Sequence, residues 1–72
     1  MPKLSPCSRR ELVRKLRAAG FQGPYPGGHH EWMEKGSTWV TVPNPHGGDI
    51  DVTLLRRLLR RVGLTVKEWN DL

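Results

Sequence analysis

Seventy-two residues carry 12 Lys and Arg against 7 Asp and Glu, a formal net charge of +5, with a single cysteine. A chain this short makes one domain, residues 1–72, and buries only about 60% of its unfolded surface, which excludes a deep small-molecule cofactor cleft. Lone Cys7 excludes an internal disulfide or a thiolate pair, no run of about 18 apolar residues is present to span a membrane, and Met1 to Pro6 lacks the apolar stretch of a signal peptide, so a reducing cytoplasm is expected.

Eight of the basic residues are arginines. Their planar forks match phosphate oxygens, so the charge excess points to a polyanion such as nucleic acid, with an acidic protein as the other partner that fits.

The first expected element is a helix over residues 9–19. Ser8 followed by Glu11 reads as a capping box, each side chain satisfying a backbone N–H at the helix start. Leu12, Val13 and Leu16 form an apolar stripe, with Arg9, Arg10, Arg14, Lys15 and Arg17 on other faces. Gly20 supplies a left-handed stop, after which Phe21 folds back on Leu16. Pro24 and Pro26 lack the ladder donor, so a first strand in this stretch is short, edge-like or distorted.

Residues 29–34 and 38–42 pair as a hairpin around the turn chemistry of Glu34-Lys35-Gly36-Ser37. On its second strand Val40 and Val42 share one face and Trp39 and Thr41 the other. On its first, His30 and Trp32 oppose His29, Glu31 and Met33. If the valine face is the core and takes Trp32, His30 turns inward with it and His29 stands on the open face beside Trp39. Pro43 to Gly48, including His46, reads as a loop.

Leu54, Leu55, Leu58, Leu59 and Val62 then give a second amphipathic helix, capped by Asp51 or Thr53 and ended by Gly63, with Arg56, Arg57, Arg60 and Arg61 opposite. Thr65 and Glu68 make a capping box for a short C-terminal helical turn, whose Trp69 packs onto the body. The order helix, two or three antiparallel strands, helix predicts a two-layer α+β domain with one open sheet face.

Five stretches carry a further likeness: Leu16-Arg17-Ala18-Ala19-Gly20-Phe21, Gly27-Gly28-His29-His30, Val40-Thr41-Val42-Pro43, His46 in the proline loop, and Leu54 through Gly63-Leu64. In this order and at this length they resemble the HicA family of bacterial toxins, small mRNA interferases with a double-stranded-RNA-binding-domain-like (dsRBD-like) fold. The resemblance runs from Arg10 to Trp69, with a departure where Pro24 and Pro26 sit in what is usually the family's first strand. It implies an endoribonuclease held inactive by a HicB-type antitoxin that covers the active site. The family's catalytic histidine, after Gly-Ser or Gly-Gly, carries over onto His29; members with Gly-Ser-Asn carry it over onto His30.

The residues suit that chemistry. RNA is cut without a metal when a base takes the 2′-hydroxyl proton and the oxygen attacks the adjacent phosphate, which asks for a positioned imidazole and cationic or N–H stabilisation. With His29 as general base or acid, His30, His46 and Lys35 are candidate partners and the Gly27 and Gly28 amides candidate anion contacts. Trp39 is the candidate to stack on an unpaired base, and Arg56 and Arg60 stand for the helix face that holds phosphates. No metal or other cofactor is expected, because adjacent strand histidines diverge and no spacing matches a zinc ligand set. Neither Ser8 nor Ser37 has a triad context. Read without the resemblance, His29 is a solvated histidine, His30 a partly buried structural one and the arginines a solvated face. The chain is then a non-catalytic RNA-binding module or a protein-docking module.

Overall fold

The computed structural model describes residues 2–45 and 47–72, so the expectations for His46 lie outside the described residues. Ser8 opens the first helix, α1 (Arg9–Ala18), by accepting the Glu11 backbone N–H at 3.1 Å. The expected capping box is only half made there, since the Glu11 carboxylate turns forward to the Arg14 guanidinium. A charged two-pronged donor outcompetes one exposed backbone N–H. The helix closes in a Schellman motif: Gly20, at φ 101°, donates to the Arg17 carbonyl at 3.0 Å and Phe21 to that of Leu16 at 2.9 Å. Phe21 and Leu16 are thereby both buried.

Three strands follow, β1 (Gln22–Tyr25), β2 (Trp32–Lys35) and β3 (Thr38–Thr41), forming one antiparallel sheet in the order β1-β2-β3. The first strand is distorted as the prolines imply, its register slipping between Gln22 and Tyr25. β2 and β3 pair Met33 with Val40 and Glu34 with Trp39.

That register corrects the expected sidedness. Met33, Val40 and Val42 are buried, whereas Trp32 shares the opposite face with Glu34, Trp39 and Thr41. Unbranched Met33 is completely buried and brings no N–H or O–H donor there, while an indole in its place would bring an N–H needing a partner. β2 also begins at Trp32 rather than at residue 29. Strand alternation therefore never reaches the histidines. His29 and His30 both sit exposed in a bend, and the expected inward turn of His30 is not found.

The helix α2 (Val52–Val62) is capped by Asp51, not Thr53, through the Leu54 N–H at 2.8 Å, and Gly63 at φ 79° ends it. α2 lies along β3 and α1 along β1, so Leu12, Leu16, Leu55, Leu58 and Leu59 cover the same sheet face. A full capping box of Thr65 and Glu68 starts the short α3 (Val66–Asn70), which delivers Trp69 into the core. Lys15 holds Trp69 from outside, donating to its carbonyl at 3.1 Å with the ammonium 5.0 Å from the ring centroid. Reciprocal backbone bonds between Cys7 and Ile50, at 2.8 and 3.2 Å, tie the N-terminal segment to the approach of α2. The result is the two-layer α+β arrangement, with the other sheet face open.

Candidate active site

The histidine loop is anchored at both ends. The Trp32 indole N–H donates to the Pro26 carbonyl at 3.1 Å, drawing residues 26–32 into a closed loop, and its ring packs at a tilt on Tyr25 with centroids 4.8 Å apart. Gly27 runs directly against the His30 carbonyl oxygen. A Cβ on Gly27 would come within 3.0 Å of that oxygen and 3.3 Å of Trp32 Cδ1, so only a hydrogen fits. Gly28 faces open space. At the other end the Glu31 carbonyl accepts the Val42 N–H at 2.8 Å, extending the ladder by one pair, and its carboxylate pairs with Arg9 of α1. His29 and His30 project into solvent from between these fixed points.

His30 stands where two hollows meet. The larger, about 670 Å3, lies between β3, residues 43–45 and 49–51, and α2. The shallower, about 530 Å3, covers the open sheet face from Gly27 and Gly28 across Trp32 to Glu34. His30, Trp39 and Thr41 border both.

Trp39 is 53% exposed, the only large apolar side chain so open among the described residues. Its posture follows from the ladder. Because Glu31 and Val42 are a hydrogen-bonded pair, Trp39 belongs to the alternate set, and its carbonyl points away from β2. Arg61 of α2 occupies that carbonyl, donating Nε–H at 3.0 Å, and lays its guanidinium carbon 5.2 Å from the indole centroid.

The electrostatics of α2 are one-sided. Its sequence holds four arginines and no carboxylate, and like charges one turn apart repel. Among the described residues the ion pairs are Arg9 with Glu31, Arg14 with Glu11 and Lys67 with Asp71, so none neutralises α2. An anion would relieve that repulsion. The one thiol offers no second chemistry: burial pushes the Cys7 pKa up, leaving it protonated at neutral pH. Among the described residues no three His, Cys, Asp or Glu side chains gather at one point, and no helix is long and apolar enough to cross a membrane.

Of the residues singled out from sequence, Gly28, His30 and Trp39 meet around the hollows, and His29 adjoins them in the exposed bend. Lys35 does not join them. At the turn end of the hairpin its ammonium donates to the Ala19 carbonyl at 2.7 Å and closes α1. Arg56 and Arg60 are exposed, but Arg57 and Arg61 are the arginines that border the larger cleft. Their signal was available, because they lie three and seven residues after Leu54 and so flank the apolar stripe. Asp49, Asn44 and Glu34 also line the hollows. The clamp of Trp32 on Pro26 and the Arg9–Glu31 pair had no local signal, since both depend on register.

Residues 9–64 match the model of a family described as HicA toxin of bacterial toxin–antitoxin systems. The matched span takes in α1, the whole sheet, the histidine loop and α2. No curated protein matches the chain.

Proposed function

The chain belongs to the HicA toxin family, and from that premise we propose that it is an endoribonuclease that cuts mRNA in the cytoplasm, halting translation and growth. As the toxin of a toxin–antitoxin pair it has a cognate antitoxin, which in this reading is of the HicB type. The observation that carries the proposal is the anchored loop that presents two exposed imidazoles, His30 bordering the same cleft as Trp39, Arg57 and Arg61.

In the reaction a base removes the 2′-hydroxyl proton and O2′ attacks the adjacent phosphorus. The 5′ oxygen then leaves with a proton from an acid, giving 2′,3′-cyclic phosphate and 5′-hydroxyl ends. An imidazole takes and gives protons near neutral pH, and the scheme asks for no metal ion. His29 moves the proton, following the family resemblance, with His30 as the alternative; His30, at the mouth of the cleft, positions the nucleotide. Arg57 and Arg61 hold charge that builds on the phosphate, the Gly28 N–H is a further anion contact, and Trp39 stacks on a base.

Induced expression in a bacterial host tests the assignment through growth and transcript integrity. The parent chain should arrest growth and degrade transcripts, His29→Ala should do neither, and His30→Ala should be weakened less. An inert His30→Ala beside an active His29→Ala would exchange the two roles. Arrest with degraded transcripts by both variants overturns the histidine mechanism.

A further inference from the structure

We propose that the cleft between β3, residues 43–45 and 49–51, and α2 is a base pocket that takes one unpaired guanine, from the nucleotide adjoining the bond that is cut. The inference rests on the reading of the chain as a protein of single-stranded RNA, and adds to it a sequence preference. A volume of about 670 Å3 falls within the range of small-ligand sites. Pro43, Pro45, Leu54 and the Trp39 indole give the cleft apolar walls, which suit a planar base and offer a phosphate nothing. Arg57 and Arg61 border the same cleft and remain for the flanking phosphates.

Asp49 decides which base. A carboxylate bordering the cleft repels the RNA backbone, and being acceptor-only it asks its ligand for N–H donors. Guanine alone among the four bases presents two adjacent donors on one edge, N1–H and the N2 amino group, and these match the two oxygens of one carboxylate. Cytosine and adenine set their single amino group beside an acceptor nitrogen, and uracil flanks its one N–H with two carbonyls, all of which a carboxylate repels. The other cleft carboxylate, Asp51, is already engaged by the Leu54 N–H at 2.8 Å as the cap of α2. Asp49 is exposed and is not drawn into the cap of α2.

The test is an NMR titration of the 15N-labelled full chain with the 2′-O-methyl pentamers UUGUU, UUAUU, UUCUU and UUUUU, which cannot be cut because the attacking oxygen is blocked. UUGUU should bind roughly 10- to 100-fold more tightly than the others, shifting the Trp39 indole N–H and the amides of Asn44, Asp49 and Leu54. Asp49→Asn, an isosteric change at an exposed position, should bring UUGUU down to the level of the other three. Equal affinity for all four pentamers, or shifts confined to the open sheet face around Gly28 and Glu34, overturns the proposal. So does a cleft that no pentamer enters, the result expected if it receives only a protein segment. The two readings fail separately. Guanine binding in the cleft by a protein that leaves RNA intact would sink the nuclease and keep the pocket, whereas cleavage at every nucleotide alike, unchanged by Asp49→Asn, would do the reverse.

Discussion

Replacing Gly27 with alanine is expected to disable the histidine loop while leaving the fold in place. The new Cβ would sit closer than 3.0 Å to the His30 carbonyl oxygen, where a carbon needs about 3.3 Å. Trp32 Cδ1, only 3.3 Å away, adds to the crowding, and the Pro26 bond holds that indole still. The His30 peptide must therefore move, carrying both imidazoles with it. Overpacking of this kind costs about 1–3 kcal/mol, and because residues 28–30 are exposed and free to yield, the low end applies. About 1 kcal/mol lowers Tm by about 4–8 °C in a domain of this size. Catalysis is more sensitive to geometry: a displacement of about 1 Å costs on the order of 100-fold in rate. Gly28→Ala is the comparison, since its Cβ would meet nothing within 4 Å and its N–H is kept; it should lose far less. Initial rates on a fluorogenic RNA, beside thermal melts of the same samples, check both. Gly27→Ala cutting as fast as the parent, or Gly28→Ala equally impaired, would show that the loop is not held in the way described.

Trp32→Phe keeps an aromatic ring but deletes the N–H that closes on Pro26, so it should cost at least about 1 kcal/mol in urea denaturation and depress cleavage further than that loss of stability explains. Leu55 has no exposed surface, and Leu55→Ala should cost about 2–5 kcal/mol; against a total on the order of 5 kcal/mol, the urea midpoint should fall by about two-fifths or more. Acid should loosen the helix starts. Hydrogen bonding to Arg14 holds the Glu11 carboxyl below its ordinary value of 4.5, and bonds from Thr65 do the same for Glu68. Folded values below the unfolded ones mean stabilisation present above about pH 4.5 and lost as pH falls through the lower folded values. Melts between pH 7 and 3 should show Tm falling below that point, and Glu68→Gln should flatten part of the fall.

The helices were readable because their signals are local. Ser8, Gly20, Asp51, Gly63 and the Thr65–Glu68 pair act within a few residues of themselves, and the leucine period of residues 54–62 states which side is buried. Hairpin sidedness was not readable in that way. Trp32 and Met33 are neighbours, either can serve as a core residue, and a one-residue change reverses every side chain. What settled it was pairing across the sheet, Met33 with Val40, together with an indole N–H that found its acceptor in the loop rather than in the core. The same long-range contacts hid the cleft. Asp49 and Arg57 are far from His30 in sequence, and Arg61 meets Trp39 only because α2 lies along β3. Lys35 is the converse case, a cation that sequence associated with the histidines and that folding brings to the end of α1.

The central claim is histidine-dependent RNA cleavage by this chain alone, and end-group analysis of RNA incubated with the purified protein in excess chelator tests it most directly. The expected result is cut RNA bearing 2′,3′-cyclic phosphate and 5′-hydroxyl ends, with cleavage lost in His29→Ala while salt-sensitive binding of the RNA persists. Intact RNA with the parent protein, or the same cut ends from a His29→Ala, His30→Ala double variant, would contradict it.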